Sequence, residues 1–142
     1  EGYKKALEDY GITVDPSITL LHDGPYTERH YIQSAKMILS QSKKITAIFA
    51  GHDRIAYLIY SIAQKQGFSI PGDLSLVGYD DLHPSYSNLI SLTTMHQPIY
   101  EMGQQSLRML LDRISGKTTK AQKIVLKSYL KERTSVKEIA KT

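Results

Sequence analysis

Cysteine is absent from the 142 residues. That excludes a disulfide framework and any thiolate metal site, and it fits a reducing compartment. No apolar run approaches the roughly 18 residues that a membrane-spanning helix needs. The opening residues, EGYKKALEDYG, read as an amphipathic helix and lack the order of a signal peptide. A cytoplasmic protein is the expectation. An initiator methionine is also missing, which points to a piece of a longer chain. There is no internal repeat and no low-complexity run. No G-x-S-x-G turn and no G-x-x-x-x-G-K phosphate loop occurs. The five histidines, at positions 22, 30, 52, 83 and 96, show no ligand spacing on a helix, so neither a metal nor a cofactor is expected.

What is present suits one globular domain. The apolar share is 41% and the charged share 23%, and a domain of this length buries a sizeable core without staples. The net charge is +4 but uneven: Glu1 to Gly116 carries 10 Lys/Arg against 12 Asp/Glu, and Lys117 to Thr142 carries 8 against 2. A basic arm for nucleic acid is the sharper account of that tail. A solvated strand and tail is the plainer one and is preferred, because Ile124, Leu126 and Val136 interleave the lysines and no aromatic platform accompanies them.

The chain alternates helical and strand patterns. Tyr3, Ala6, Leu7 and Tyr10 share one face of a helix from Gly2 to Tyr10, which Gly11 closes. Asp15-Pro16 is a turn, and Ile18 to Leu21 a brief strand. Thr27 is placed to cap a helix from Glu28 to about Gln41. A strand over Ile45 to Ala50 meets Gly51-His52-Asp53, and a helix follows to Gln66 with Ile55, Leu58, Ile59 and Ile62 as its stripe. Leu74 to Tyr79 and Leu92 to His96 read as strands. Pro98 starts a helix to Ile114, and a last strand is expected near Lys123 to Leu130. This alternation predicts an α/β fold: a parallel sheet flanked by helices on both faces.

In such a sheet the loops Asp23 to Tyr26, Gly51 to Asp53 and Asp80-Asp81 converge at the carboxyl edge, where open α/β sheets bind ligands. Their carboxylates and imidazole can hydrogen-bond vicinal hydroxyls, and an aromatic face packs on the C–H side of a sugar. Asp53 has two readings, as the cap of the helix it opens or as a ligand contact. An enzyme using Asp80 or Asp81 as general base with His52 is disfavoured, because no nucleophile, cofactor motif or metal site accompanies them. A phosphoacceptor pocket is disfavoured too, since its acidic pair belongs after the first strand.

The segments Thr46 to Asp53 (TAIFAGHD) and Ile70 to Asp81 (IPGDLSLVGYDD), then Leu92-Thr93-Thr94, Gln97-Pro98 and Tyr100-Glu101-Met102-Gly103, resemble the LacI/GalR family of bacterial transcriptional regulators. The match runs from Gly2 to about Ser135. The resemblance implies a type I periplasmic-binding-protein-like fold, shared with periplasmic sugar-binding proteins. Residues 1–142 would be the C-terminal part of the effector-binding and dimerisation core, with the DNA-binding domain and the N-terminal subdomain outside the chain. The helix from Pro98 to Ile114 would normally belong to that other subdomain.

By the same resemblance, Asp80 matches an acidic residue that binds ligand hydroxyls, Tyr26 an aromatic that stacks on the ligand, and Gln97 a residue of the hinge-crossing strand. Where the family usually has Asn, this chain has His52, which is expected to alter specificity and to make binding pH-dependent. The implied function is that of a ligand-responsive regulator, a repressor by expectation and not an enzyme. It would bind a sugar or sugar derivative through Tyr26, His52, Asp53, Asp80 and Gln97, and contact operator DNA through a domain outside this chain. The rival is a periplasmic or lipid-anchored sugar-binding protein of an uptake system. A homodimer is implied, with Tyr57, Tyr60 and Leu89 as candidate interface residues. The alternative for the two tyrosines is cover by a neighbouring helix.

Overall fold

The apolar runs before Gly51 and Asp80 lie side by side as neighbouring strands. The computed structural model describes residues 1–20, 27–41, 45–82 and 89–138. The elements are α1 (Gly2–Asp9), α2 (Glu28–Ser40), β1 (Ala47–Phe49), α3 (Asp53–Lys65), β2 (Ser75–Asp80), β3 (Thr93–His96), α4 (Ile99–Ile114) and β4 (Tyr129–Lys131). The four strands form one sheet in the order β1-β2-β3-β4. β1, β2 and β3 are parallel, with Ile48 opposite Leu76 and Gly78 opposite Thr94.

Two expectations about strands need correction. The sheet is not wholly parallel: β4 runs antiparallel to β3, pairing Tyr129 with His96 and Lys131 with Thr94. This last strand occupies Tyr129–Lys131 and not Lys123 to Leu130. The lysine-interleaved run Ile124-Val125 is exposed, and the strand forms only where β3 offers a ladder of N–H and C=O groups. Likewise Ile18 to Leu20 form no strand, and Leu21 lies outside the described residues. The preceding turn is as expected, with the Asp15 carboxylate accepting from the Ser17 N–H at 2.8 Å.

Helix limits follow local signals closely. Thr27 is the N-cap of α2, and its side chain accepts from the His30 N–H. α3 buries Ala56, Ile59 and Ala63, spaced three and four residues apart, and packs on β2; α2 packs on α3. Ala56 and Ala63 are fully buried, so the backbone of α3 approaches its neighbours closely. The core falls into two adjoining clusters. One joins Ala35, Ala50, Ala56, Tyr57, Ile59, Leu76 and Leu92; the other joins Leu39, Ile45, Ala63 and Leu74.

Tyr57 is therefore a core residue, only 6% exposed, and its assignment to an interface is corrected. With α2 packed on α3, its ring is covered from within the chain. Tyr60 is half-buried against the same cluster, and Leu89 is exposed. Side chains alternate across a strand, so Phe49 faces away from Ile48 and the helical layer, and it is half exposed. Among the described residues, nothing buries the Phe49 side of β1. α4 buries no residue, and its apolar side chains Leu107, Leu110, Leu111 and Ile114 are exposed.

The turn from α3 to β2 depends on one glycine. The Asp73 carboxylate accepts from the Ser69 N–H at 2.8 Å, which folds the turn back on itself. A Cβ at Gly72 would lie 2.4 Å from the Ser69 hydroxyl.

Candidate functional site

Because β1, β2 and β3 are parallel, the residues that follow them share the carboxyl edge. His52 and Asp53 follow β1, Asp80 ends β2 with Asp81 next to it, and Gln97 follows β3. The Gln97 amide donates from Nε2 to Asp80 Oδ1 at 2.5 Å. The structure thus brings together two of the expected ligand residues from neighbouring strands. His52 is half-buried at the start of α3, its ring edge-on to Tyr31 with centroids 6.1 Å apart. Tyr26 lies outside the described residues, as do His22, Asp23 and His83.

Asp53 does not act as a side-chain cap. It is the first residue of α3, the N-cap position belongs to His52, and no side chain caps this helix end. The Asp53 carboxylate turns inward instead and is 1% exposed. Its Oδ1 accepts from the Thr94 hydroxyl at 2.6 Å, and its Oδ2 accepts from the Leu82 N–H at 2.8 Å. A buried carboxylate persists when its oxygens are hydrogen-bonded in this way, and the helix N-terminus adds a favourable field. With both oxygens engaged, Asp53 braces the edge from behind. Gly78 makes room for it, since a Cβ there would lie 2.1 Å from Asp53 Oδ1 and 2.9 Å from Leu92.

Asp80 and Asp81 are consecutive non-glycine residues at positive φ, 111° and 58°. Such conformations cost on the order of 1–3 kcal/mol each and persist where the surroundings over-determine them. The surroundings here are explicit. Asp81 Oδ1 pairs with Arg133 Nη2 at 2.5 Å, and Oδ2 pairs with His96 Nδ1 at 2.9 Å and Lys131 Nζ at 3.1 Å. Burial acts to raise the Asp81 pKa, but the hydrogen bonds from Arg133, His96 and Lys131 outweigh it, and the carboxyl is held at about 2 against an ordinary 3.8.

These partners were not visible along the chain. Lys131 and Arg133 belong to the basic last segment, so part of its charge neither sits idle in solvent nor awaits nucleic acid: it neutralises Asp81. The one signal was the single arginine among the tail's lysines, because a rigid, always-charged guanidinium suits a buried carboxylate. The chain beyond β4 is pinned further. Ser135 is fully buried; its hydroxyl donates to the Leu76 carbonyl at 2.6 Å and accepts from the Thr93 N–H at 2.8 Å. Lys137 Nζ reaches the Gly72 carbonyl.

A polar cluster at the carboxyl edge of the strands, on an α/β fold whose chain continues into an exposed apolar helix, defines the class. The chain belongs to the periplasmic binding protein-like domain family, whose profile matches residues 1–136, and within it to the effector-binding domains of LacI/GalR regulators. It is 34% identical over 142 residues to the HTH-type transcriptional repressor PurR of Haemophilus influenzae, covering 98% of this chain and 42% of that protein. A LacI family transcriptional regulator from Enterococcus faecium, solved with bound ribose, is 33% identical with a TM-score of 0.79, covering 96% of this chain and 49% of that one. The lac repressor dimer bound to operator and the anti-inducer ONPF is 25% identical with a TM-score of 0.76, covering 95% and 46%. The relatives are transcriptional regulators, and the chain spans about two-fifths of the length of the curated relatives it matches. Among the described residues, no helix is long and apolar enough to cross a membrane.

Proposed function

We propose that this chain is the effector-binding part of a cytoplasmic, ligand-responsive transcriptional repressor, and that its effector is a sugar or sugar derivative. The Gln97–Asp80 pair carries the reading. A carboxylate that accepts beside an amide that both donates and accepts suits adjacent hydroxyl groups. The bound ribose of the Enterococcus faecium relative supports the same ligand class. His52 would contribute from the N-cap of α3, and Tyr26, outside the described residues, is proposed with them. Asp53 is left out of this set because its oxygens serve Thr94 and Leu82.

Residues 1–142 would form the C-terminal part of a two-subdomain core, and the uncovered face of α4 supports a second subdomain against it. Operator DNA would be contacted by a domain outside this chain. The effector would act through unequal affinity for the DNA-binding and released states. A homodimer is part of the proposal, with Tyr60 and Leu89 at its interface; the lac repressor dimer supports it.

Calorimetric titration with ribose of the whole regulator that contains this chain tests the site. Asp80→Asn is expected to weaken binding by about 10- to 100-fold, the value of a hydrogen bond to a charged group. Equal affinity in parent and variant would remove Asp80 from the site.

A further inference from the structure

We propose that Asp81 is the positioning residue for Asp80, and that Arg133 is the group that holds it in place. The inference rests on the reading of Asp80 as the ligand carboxylate. Asp80 and Asp81 stand in sequence at φ 111° and 58°, a backbone region that L side chains rarely adopt. The Asp80 carboxylate meets the Gln97 amide in this backbone conformation.

Three restraints converge on Asp81 and the residue after it. The Asp81 carboxylate is 4% exposed, and the groups that face it are Arg133, Lys131 and His96. The Asp81 N–H donates to the Thr94 hydroxyl at 3.4 Å. The next N–H, of Leu82, donates to Asp53 at 2.8 Å. Arg133 is itself fixed to β3: Nη1 donates to the Leu92 carbonyl at 2.6 Å, and its backbone N–H donates to the Thr93 hydroxyl at 2.9 Å. β3 therefore serves as the common reference. It carries Thr94, anchors Arg133 and leads directly into Gln97.

The adjacent aspartates thus divide two tasks. Asp81 spends its oxygens on the chain, and Asp80 offers its carboxylate beside Gln97. Freed from Arg133, the pair would relax toward negative φ, and Asp80 would swing away from the amide. The residue that follows β4 would then govern ligand affinity without touching ligand.

The test reads the Gln97 side-chain amide resonances of the isotope-labelled whole regulator that contains this chain, together with its ribose dissociation constant. In Arg133→Met the Gln97 resonances are expected to shift as the bond to Asp80 loosens, and ribose affinity to fall about tenfold, the value of one charge-assisted hydrogen bond. Arg133→Lys should recover part of both changes. Asp81→Asn, of equal size without the charge, should move both in the same direction, and it decides the matter if Arg133→Met does not fold. Folded variants with unmoved Gln97 resonances overturn the proposal, because a merely structural ion pair would lower stability alone. Asp80→Asn separates the two readings. If it binds ribose like the parent, the ligand assignment fails, while the Gln97 resonances still decide whether Arg133 positions Asp80.

Discussion

The carboxylate of Asp53, at the first turn of α3, accepts the hydroxyl of Thr94 on β3 at 2.6 Å, across 41 residues of chain. This bond ties the helical layer to the sheet beneath the candidate site. Replacing Asp53 with Ala leaves the Thr94 hydroxyl and the Leu82 N–H without their acceptor. A loss of about 2–4 kcal/mol is expected in urea unfolding. A loss under about 0.5 kcal/mol, as at an ordinary surface position, would show that the bond is not structural.

Gly78 leaves the space that this bond occupies. Gly78→Ala should therefore displace Asp53 or push β2 away from Leu92. The expected cost is about 1–3 kcal/mol, as for other overpacked sites. A variant as stable as the parent, with an unchanged Thr94 environment by NMR, would contradict the close approach.

Acid should weaken the fold through Asp81. Its folded pKa of about 2 lies below the ordinary 3.8, so folding favours the anion. The stabilisation is full above about pH 4 and is lost as pH falls toward 2, with a magnitude on the order of 2 kcal/mol. Urea midpoints compared between about pH 5 and pH 3 should fall more in the parent than in Asp81→Asn. Parallel declines would assign the acid sensitivity to other groups.

His52 opens α3 beside Tyr31, on the edge that carries Asp80. An imidazole differs from an amide in size, donor pattern and the ability to gain charge. His52→Asn is expected to change both the preference among sugars and the pH profile of binding. Titrations at two pH values that superimpose for parent and variant would show that this side chain is a bystander.

Tyr60 is half-buried beside the core cluster, and Leu89 is exposed. If they meet a second copy of the chain, Tyr60→Asp should give monomers in sedimentation velocity. A monomeric parent, or an unaltered dimer in the variant, would reject the interface.

Helix periodicity was fully legible along the chain. Thr27 caps α2 as its side-chain chemistry predicts, and α3 and α4 end within a residue or two of their expected limits. Both features depend on neighbours three or four residues away. The edge placement of His52, Asp80 and Gln97 was legible as well, because it needs only the order of strands. The fate of the tail was not, since Lys131 and Arg133 meet a partner 50 and 52 residues away. Tyr57 looked available because α3 already had an apolar stripe, but the packing of α2 on α3 accounts for its burial.

Asp53, Asp80 and Asp81 are three equivalent carboxylates at strand ends when read as sequence. Local pattern determined that they stand at the carboxyl edge, since apolar runs and turn residues place them there. Only the tertiary structure decided that Asp53 is a buried brace, Asp81 an anchor for Arg133, and Asp80 the partner of Gln97. The physical reason is range. Helices and strand ends answer to nearby residues, whereas the burial and hydrogen-bond partners of a carboxylate depend on groups that meet it only once the sheet has formed.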